Sequence, residues 1–376
     1  MLRRMDLHHF DVAVIGAGIA GATAAAHLAA DHRVVLIEAE EAAGYHSTGR
    51  SAAMWIQNYG PPTVRLLTGQ SRAFFAAPPP GFSDTPLMLR RAVLFLAPEE
   101  QLAQFHAMLA AGHGLQEITP AAAEAMVPAL RPGWTQGAAT ETDAFDMDVA
   151  ALHQGFLRQL RARGGVLALH ARAGRIERRG GQWHVETTSG DVFAAAVLVN
   201  AAGAWGDQVA ALAGTAPLGL QPKRRTGVLI DPAPWPVADW PMVNDIAHTW
   251  YARPEARTKM MVSPADETDL APQDAQPDEL DIAVAIDRMQ QALAITVRRV
   301  EHAWAGLRTF TPDRELAIGW DAGANGFCWC VGQGGYGIQT SPAAGQLVAD
   351  LIAGRDPGAL GPVLATLDPR RFTTPG

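Results

Sequence analysis

Three glycines and one acid are the first residues of this chain whose spacing can do chemistry. They are Gly16, Gly18 and Gly21 in Asp11-Val-Ala-Val-Ile-Gly-Ala-Gly-Ile-Ala-Gly21, and Glu38 at the end of Val34-Val-Leu-Ile-Glu38. Gly16 permits a tight turn, Gly18 lets the backbone approach a pyrophosphate, and Gly21 lets a helix pack closely on a strand. The helix N-terminus then faces the phosphates with its partial positive charge, and Glu38 is placed for ribose hydroxyls. Glycine spacing alone is weak, because small residues recur wherever helices pack closely. Here an apolar strand precedes it, an alanine-rich helix (Ala20 to Ala30) follows, and a second apolar strand leads to the acid. These residues predict a bound dinucleotide and leave its identity open.

The elements that must hold such a site alternate along the chain. Helical spacing or proline and glycine stops predict helices over 61–77, 99–111, 119–127, 147–163 and 278–295, and a final helix over 341–353. Strands are expected over 86–97 and 166–169, in a hairpin from Arg175 to Phe193 turning at Gly180-Gly181, and in the wholly apolar runs 194–200 and 326–331. Residues 217–310 are otherwise strand-rich and punctuated by proline. Three segments end strands at glycine turns: the start, 195–206 and 327–340. Ligands of open α/β sheets bind beyond the carboxyl ends of strands, so all three turns can converge on one cofactor.

Composition narrows the partners. At 376 residues the chain suits two domains, and 48% hydrophobic against 18% charged residues gives ample core. A net charge of -8 argues against nucleic acid and against electrostatic attachment to anionic lipid. Arg3-Arg4 before the apolar stretch Val12 to Ala30 superficially resembles a twin-arginine signal or a membrane span. Those apolar residues are needed for the nucleotide fold, so the chain is read as soluble and cytoplasmic, without a membrane span. Cys328 and Cys330 are the only cysteines. Two ligands without further His or Cys rarely hold a metal, so they are read as buried packing residues and no metal is expected.

Four segments then bring a family into view: the N-terminal fingerprint, Gly44-Tyr-His-Ser-Thr-Gly-Arg-Ser-Ala-Ala53, Val199-Asn-Ala-Ala-Gly-Ala-Trp205 and Gly332-Gln-Gly-Gly-Tyr-Gly-Ile-Gln-Thr340. Together they resemble the FAD-dependent amino-acid oxidoreductases of the D-amino-acid oxidase superfamily, and within it the D-arginine dehydrogenases. Leu152-His-Gln-Gly155, Leu220-Gln-Pro-Lys-Arg-Arg225, Gln276-Pro-Asp-Glu-Leu-Asp-Ile282 and Trp304-Ala-Gly-Leu-Arg308 extend the resemblance over nearly the whole chain. It implies an α/β fold: a Rossmann-like FAD-binding domain with a parallel sheet (1–60, 145–216, 305–376), interleaved with an α+β substrate domain (61–144, 217–304) carrying a large, mainly antiparallel sheet. The FAD is expected to be non-covalent, because relatives with a covalent flavin carry a cysteine before a Thr-Pro-Asp segment and Gly306-Leu-Arg-Thr-Phe-Thr-Pro-Asp313 has none.

The resemblance also assigns roles. FAD contacts are expected from Gly16, Ala17, Gly18, Ile19, Ala20, Gly21, Glu38 and Ala39 in the first unit. Ser47, Thr48, Gly49, Arg50, Ser51, Ala52 and Ala53 follow in the next loop. Ala173 is expected at the adenine and Gly203 at the pyrophosphate, with Gly334, Gly335, Tyr336, Gly337, Ile338, Gln339 and Thr340 along the isoalloxazine. Arg225 and Arg308 would clamp a substrate carboxylate through their forked donors, Tyr59 and Tyr251 would close on it, and the Gly335 carbonyl would accept from the substrate amine. Each has a structural alternative: a solvated charge for Arg50 and Arg225, an ion pair for Arg308, core packing for the tyrosines.

Departures from the relatives point to the substrate. Met54 stands where they have histidine, Ile56 where they have threonine, and alignment places Ala92 where a glutamate binds the guanidinium; Ile338 completes the expected pocket. Loss of that carboxylate disfavours arginine and lysine, and Arg90 or Arg91 could serve an acidic side chain only by turning inward. The expected reaction is hydride transfer from Cα of a neutral, hydrophobic D-amino acid to flavin N5, giving an imino acid that hydrolyses to a keto acid and ammonia. Sarcosine- or glycine-type amines, 2-hydroxy acids and a non-catalytic flavoprotein are the alternatives. A quinone-type acceptor or oxygen would take the electrons.

Overall fold

A computed structural model describes residues 7–372, so Arg3 and Arg4 lie outside the described residues. Among those residues the chain forms two eight-stranded sheets and a small three-stranded one. In the first sheet the strands Val166–Ala168, Val34–Ile37, Leu7–Ile15, Val192–Asn200 and Phe327–Val331 lie side by side and parallel. Their inner segments, residues 12–15, Val34–Ile37 and Phe327–Val331 among them, are apolar and buried because both faces are covered there. Val12, Val14, Leu36, Cys328 and Cys330 face the helices Ile19–Leu28, Val149–Ala162 and Gly337–Ala353. Ala13, Ile15, Val35, Ile37 and Trp329 pack on the opposite side. Pairing of Ile15 with Asn200, and of Asn200 with Trp329, sets three strand ends in a row.

The second sheet runs in the order Val300–Phe310, Gln221–Ile230, Lys259–Ser263, Tyr251–Glu255, Met242–Asp245, Val93–Ala97, Gly137–Glu141, Leu115–Ile118. Its pairings are antiparallel except where Met242–Asp245 meets Val93–Ala97. Val228, Ile230, Val243, Met260 and Val262 pack against Ala285, Met289 and Ala292 of the helix Glu279–Ala292. Residues of the opposite parity, Arg225, Phe95 and Met261 among them, face a cavity between the two sheets.

Several boundaries differ from the sequence reading. The strand expected over 86–97 breaks into Met88–Arg90 and Val93–Ala97, which pair in different sheets. The final helix starts at Gly337, not near Ser341. Pro342 therefore sits inside the helix, and Ser341 Oγ donates to the Ile338 carbonyl that Pro342 has no N–H to satisfy. The helix Pro62–Ala76, expected in the substrate domain, contributes Val64, Leu67 and Phe75 to the core under the first sheet. Cys328 and Cys330 are buried in that same core, and burial pushes the Cys330 thiol up to about 12. No helix among the described residues is long and apolar enough to cross a membrane.

Candidate active site

One continuous cavity of about 990 Å³ runs from Glu38 and Ala173 past Gly18, Gly203 and Ser47 to Gly334–Ile338 and Arg308. The turn at its first end is built by close backbone approach. Gly16 has φ +100, and a Cβ there would lie 2.5 Å from the Ala201 carbonyl oxygen. A Cβ at Gly21 would lie 1.8 Å from the Gly16 oxygen. Glu38 fixes the turn with its side chain: one carboxylate oxygen accepts from Ala17 N at 2.8 Å and the other from Glu40 N at 3.0 Å. Each oxygen keeps a further lone pair. Beneath the turn, His153 Nε2 meets the Ala17 carbonyl at 2.9 Å, and its ring packs under Gly44. Burial lowers the His153 pKa, only partly opposed by that bond, so the imidazole is neutral and donates from Nε2. No role was expected for His153, although it lies in the Leu152-His-Gln-Gly155 segment.

The loop 47–53 lines the middle of the cavity, but its side chains are committed to protein. Thr48 Oγ1 accepts from Ile19 N at 2.9 Å, capping the first helix from a distance. Ser47 and Ser51 donate to the carbonyls of Leu307 and Ser47. Arg50 was expected as a cation for phosphate or flavin. It lines the cavity, yet its guanidinium donates to the Ala275 and Ala305 carbonyls and pairs with Asp274. Ala17, Gly21, Gly49 and Thr340 do not line the cavity; they shape turns and helix starts behind it. The remaining residues expected at the cofactor do line it. Gln339 does so while spending its amide on Ile56 N and Thr68 Oγ1.

At the far end, Arg225, Arg308, Tyr59 and Tyr251 all line the cavity. Arg308 Nη1 donates to the Tyr59 hydroxyl at 3.0 Å. Gly335 permits this packing, since a Cβ there would sit 2.7 Å from Arg308 Nη1 and 2.9 Å from Tyr59 Oη. Burial would raise the Tyr251 pKa, but the Arg308 and Arg225 guanidiniums and hydrogen bonds with Ser263 and Arg225 bring it below its ordinary value. Arg225 is oriented by its Nε, which donates to the Asp266 carbonyl at 3.0 Å. Two partly buried guanidiniums on one cavity can bind a carboxylate.

The walls beside this cluster are largely apolar: Met54, Ile56, Phe95, Met242, Ile246 and Ile338. Ala92 is not among them. Alternation along the strand puts Val93 and Phe95 on the cavity side and Leu94 and Leu96 in the opposite core, so Phe95 holds the wall position assigned to Ala92. Arg90 is exposed and donates to the Thr142 carbonyl, and Arg91 pairs with Asp146, so neither turns into the cavity. The polar wall is Asn244 and His248, which sequence reading missed. In the amide orientation that satisfies both groups, Asn244 accepts from His248 Nδ1 at 3.1 Å and donates to the Asp245 and Trp250 carbonyls. Burial, opposed by Asp245 and assisted by Arg225, lowers the His248 pKa.

Comparison with known proteins agrees with this architecture. Residues 11–351 match the model of a family described as FAD dependent oxidoreductase. A Xenopus laevis protein named FAD-dependent oxidoreductase domain-containing protein 1 is 29% identical over 178 residues, 42% of this chain and 34% of its own length. The match thus spans about a third of that relative. Glycine oxidase from Geobacillus kaustophilus superposes with a TM-score of 0.85 at 23% identity, covering 98% of this chain and 100% of that one. L-proline dehydrogenase from P. horikoshii gives 0.79 at 21% identity, with 98% of each chain covered. At such identities these structures share the fold with this chain. The family match over most of the sequence, joined to a glycine turn, three aligned strand ends and one long cavity, places this chain in the FAD-dependent oxidoreductase family.

Proposed function

We propose that the protein oxidises a D-amino acid with a neutral, apolar side chain at its α-carbon. The reading rests on one observation: Arg225, Arg308, Tyr59 and Tyr251 share an end of the cavity with Met54, Ile56, Phe95, Met242 and Ile246. The D-configuration comes from the sequence resemblance. The cavity fits FAD: its length joins an acid-terminated nucleotide turn to a glycine-rich helix start, and its approaches at Gly16, Gly21 and Gly335 leave no space for side chains. Glu38 and Ala173 would then hold the adenosine, the first helix start and Gly203 the phosphates, and Gly334–Ile338 the ring system. When bound, the flavin supplies a two-electron acceptor for the hydride leaving Cα.

The protein's own part is binding and orientation. Arg225 and Arg308 take the α-carboxylate, with Tyr59 fixing Arg308 and Tyr251 standing beside both. The Gly335 carbonyl accepts from the amine. The side chain lies on the apolar wall of Met54, Ile56, Phe95, Met242 and Ile246, none of which can pair a guanidinium or ammonium. As the amine lone pair forms the C=N bond, the Cα–H electron pair leaves, and water then hydrolyses the imino acid to a keto acid and ammonia. Initial rates with an artificial acceptor test the specificity. D-Leucine, D-methionine or D-phenylalanine should outperform D-arginine. D-Arginine as the best substrate, or turnover confined to sarcosine or 2-hydroxyglutarate, contradicts the proposal.

A further inference from the structure

The clamp end of the cavity holds more charge than one α-carboxylate needs. Arg314 and Glu267 line it together with Arg225 and Arg308. Glu267 Oε1 accepts from Arg314 Nη2 at 2.9 Å, and the same oxygen lies 3.5 Å from Nη2 of Arg225. Arg314 is held in place: its guanidinium stacks 4.0 Å from the Phe310 ring, its N–H donates to the Thr311 carbonyl, and its backbone sits at φ 66. A side-chain-bearing residue adopts that region only when its surroundings impose it. Burial would raise the Glu267 pKa, but the Arg314 hydrogen bond and the Arg314 and Arg225 charges keep it below the ordinary carboxylate range, so it is an anion. Two guanidiniums, Arg225 and Arg314, therefore share one resident carboxylate, with Arg308 on the same cavity. With an α-carboxylate bound, the end counts three positive and two negative charges. A second substrate carboxylate would balance the count, but Glu267 already occupies the donors it would need.

We infer that Glu267, held by Arg314, is a resident competitor at the carboxylate clamp and sets its charge specificity. It shares Arg225 with the incoming α-carboxylate and repels a second one, so monocarboxylic substrates bind and dicarboxylic ones are turned away. The inference rests on the clamp reading of Arg225 and Arg308. Its chemistry follows from like-charge contact across a partly desolvated site, which selects against the wrong partner.

Perturbation of flavin absorbance in the holoenzyme is the readout, with 4-methylpentanoate, the deaminated counterpart of leucine, and glutarate as probes. Glu267→Gln should tighten glutarate by about tenfold or more and 4-methylpentanoate by roughly threefold. Arg314→Met leaves Glu267 to Arg225 alone and should weaken both acids. Glu267→Asp keeps the charge and should keep the wild-type preference. If Glu267 only braces the fold, Glu267→Gln and Arg314→Met weaken both acids alike, and the inference is overturned. A wild-type protein that binds neither acid, or binds them unchanged in Arg308→Met, removes the clamp and this inference together. Wild-type binding lost in Arg308→Met with no change in preference in Glu267→Gln removes the inference alone.

Discussion

The two ends of the cavity are built by different means. At the nucleotide end the shaping groups are backbone: Gly16, Ala201, Gly21 and the start of the first helix meet at distances that exclude a Cβ. The nearby side chains, Glu38, Thr48, His153 and Arg50, are largely spent on protein partners. At the clamp end the shaping groups are side chains, and Arg225, Arg308, Arg314 and Glu267 face one another across the cavity. Substitutions at the first end should therefore act through cofactor retention. Those at the second should act through substrate binding with the cofactor in place.

The largest expected effect is at the nucleotide end. Gly21→Ala forces a Cβ to within 1.8 Å of the Gly16 oxygen, so the purified protein should lack flavin absorbance. Retention of stoichiometric flavin would show that the turn tolerates what its packing forbids. Next is Arg308→Met, which should keep flavin and lower kcat/KM by about 10²- to 10³-fold, the loss expected when one partner of a desolvated charged pair is removed. Tyr59→Phe deletes only the 3.0 Å bond that fixes Arg308, and steady-state kinetics should show a loss of about tenfold, mostly in KM.

A smaller effect depends on pH. Tyr251 has a depressed pKa, so its hydroxyl ionises before an ordinary tyrosine as pH rises. The phenolate would neutralise a neighbouring guanidinium, so acid-ligand affinity should fall on the alkaline side below about pH 10. That limb should move upward in Tyr251→Phe, and a pH profile unchanged by the substitution would assign it to another group. Smallest of all, Ala92→Ser should alter kinetics by less than about twofold, because Ala92 lies off the cavity wall.

The same contrast explains what the sequence made legible. The first turn is local, with glycine spacing, flanking strand and helix all within one contiguous segment, and its place at an aligned set of strand ends follows from buried, wholly apolar runs. The clamp end was found only through resemblance, because its residues come from distant segments and no spacing connects Tyr59 to Arg308. Ala92 failed for a physical reason: the break at Arg91 and Ala92 resets the strand, and a one-residue shift changes which side chain faces the cavity. Glu267 and Arg314 carried no sequence signal at all. Their meaning arises from an ion pair across two loops, and His153 likewise looks like an ordinary polar residue on an amphipathic helix until its bond to Ala17 is seen.

The account turns on whether the clamp end recognises an α-carboxylate. Anaerobic reduction of the flavin by D-leucine and by D-leucinamide, which lacks the carboxylate, tests this directly. The wild-type flavin should be bleached by D-leucine about 100-fold faster than by the amide, and Arg308→Met should erase most of that difference. Equal bleaching by acid and amide in the wild type would contradict it.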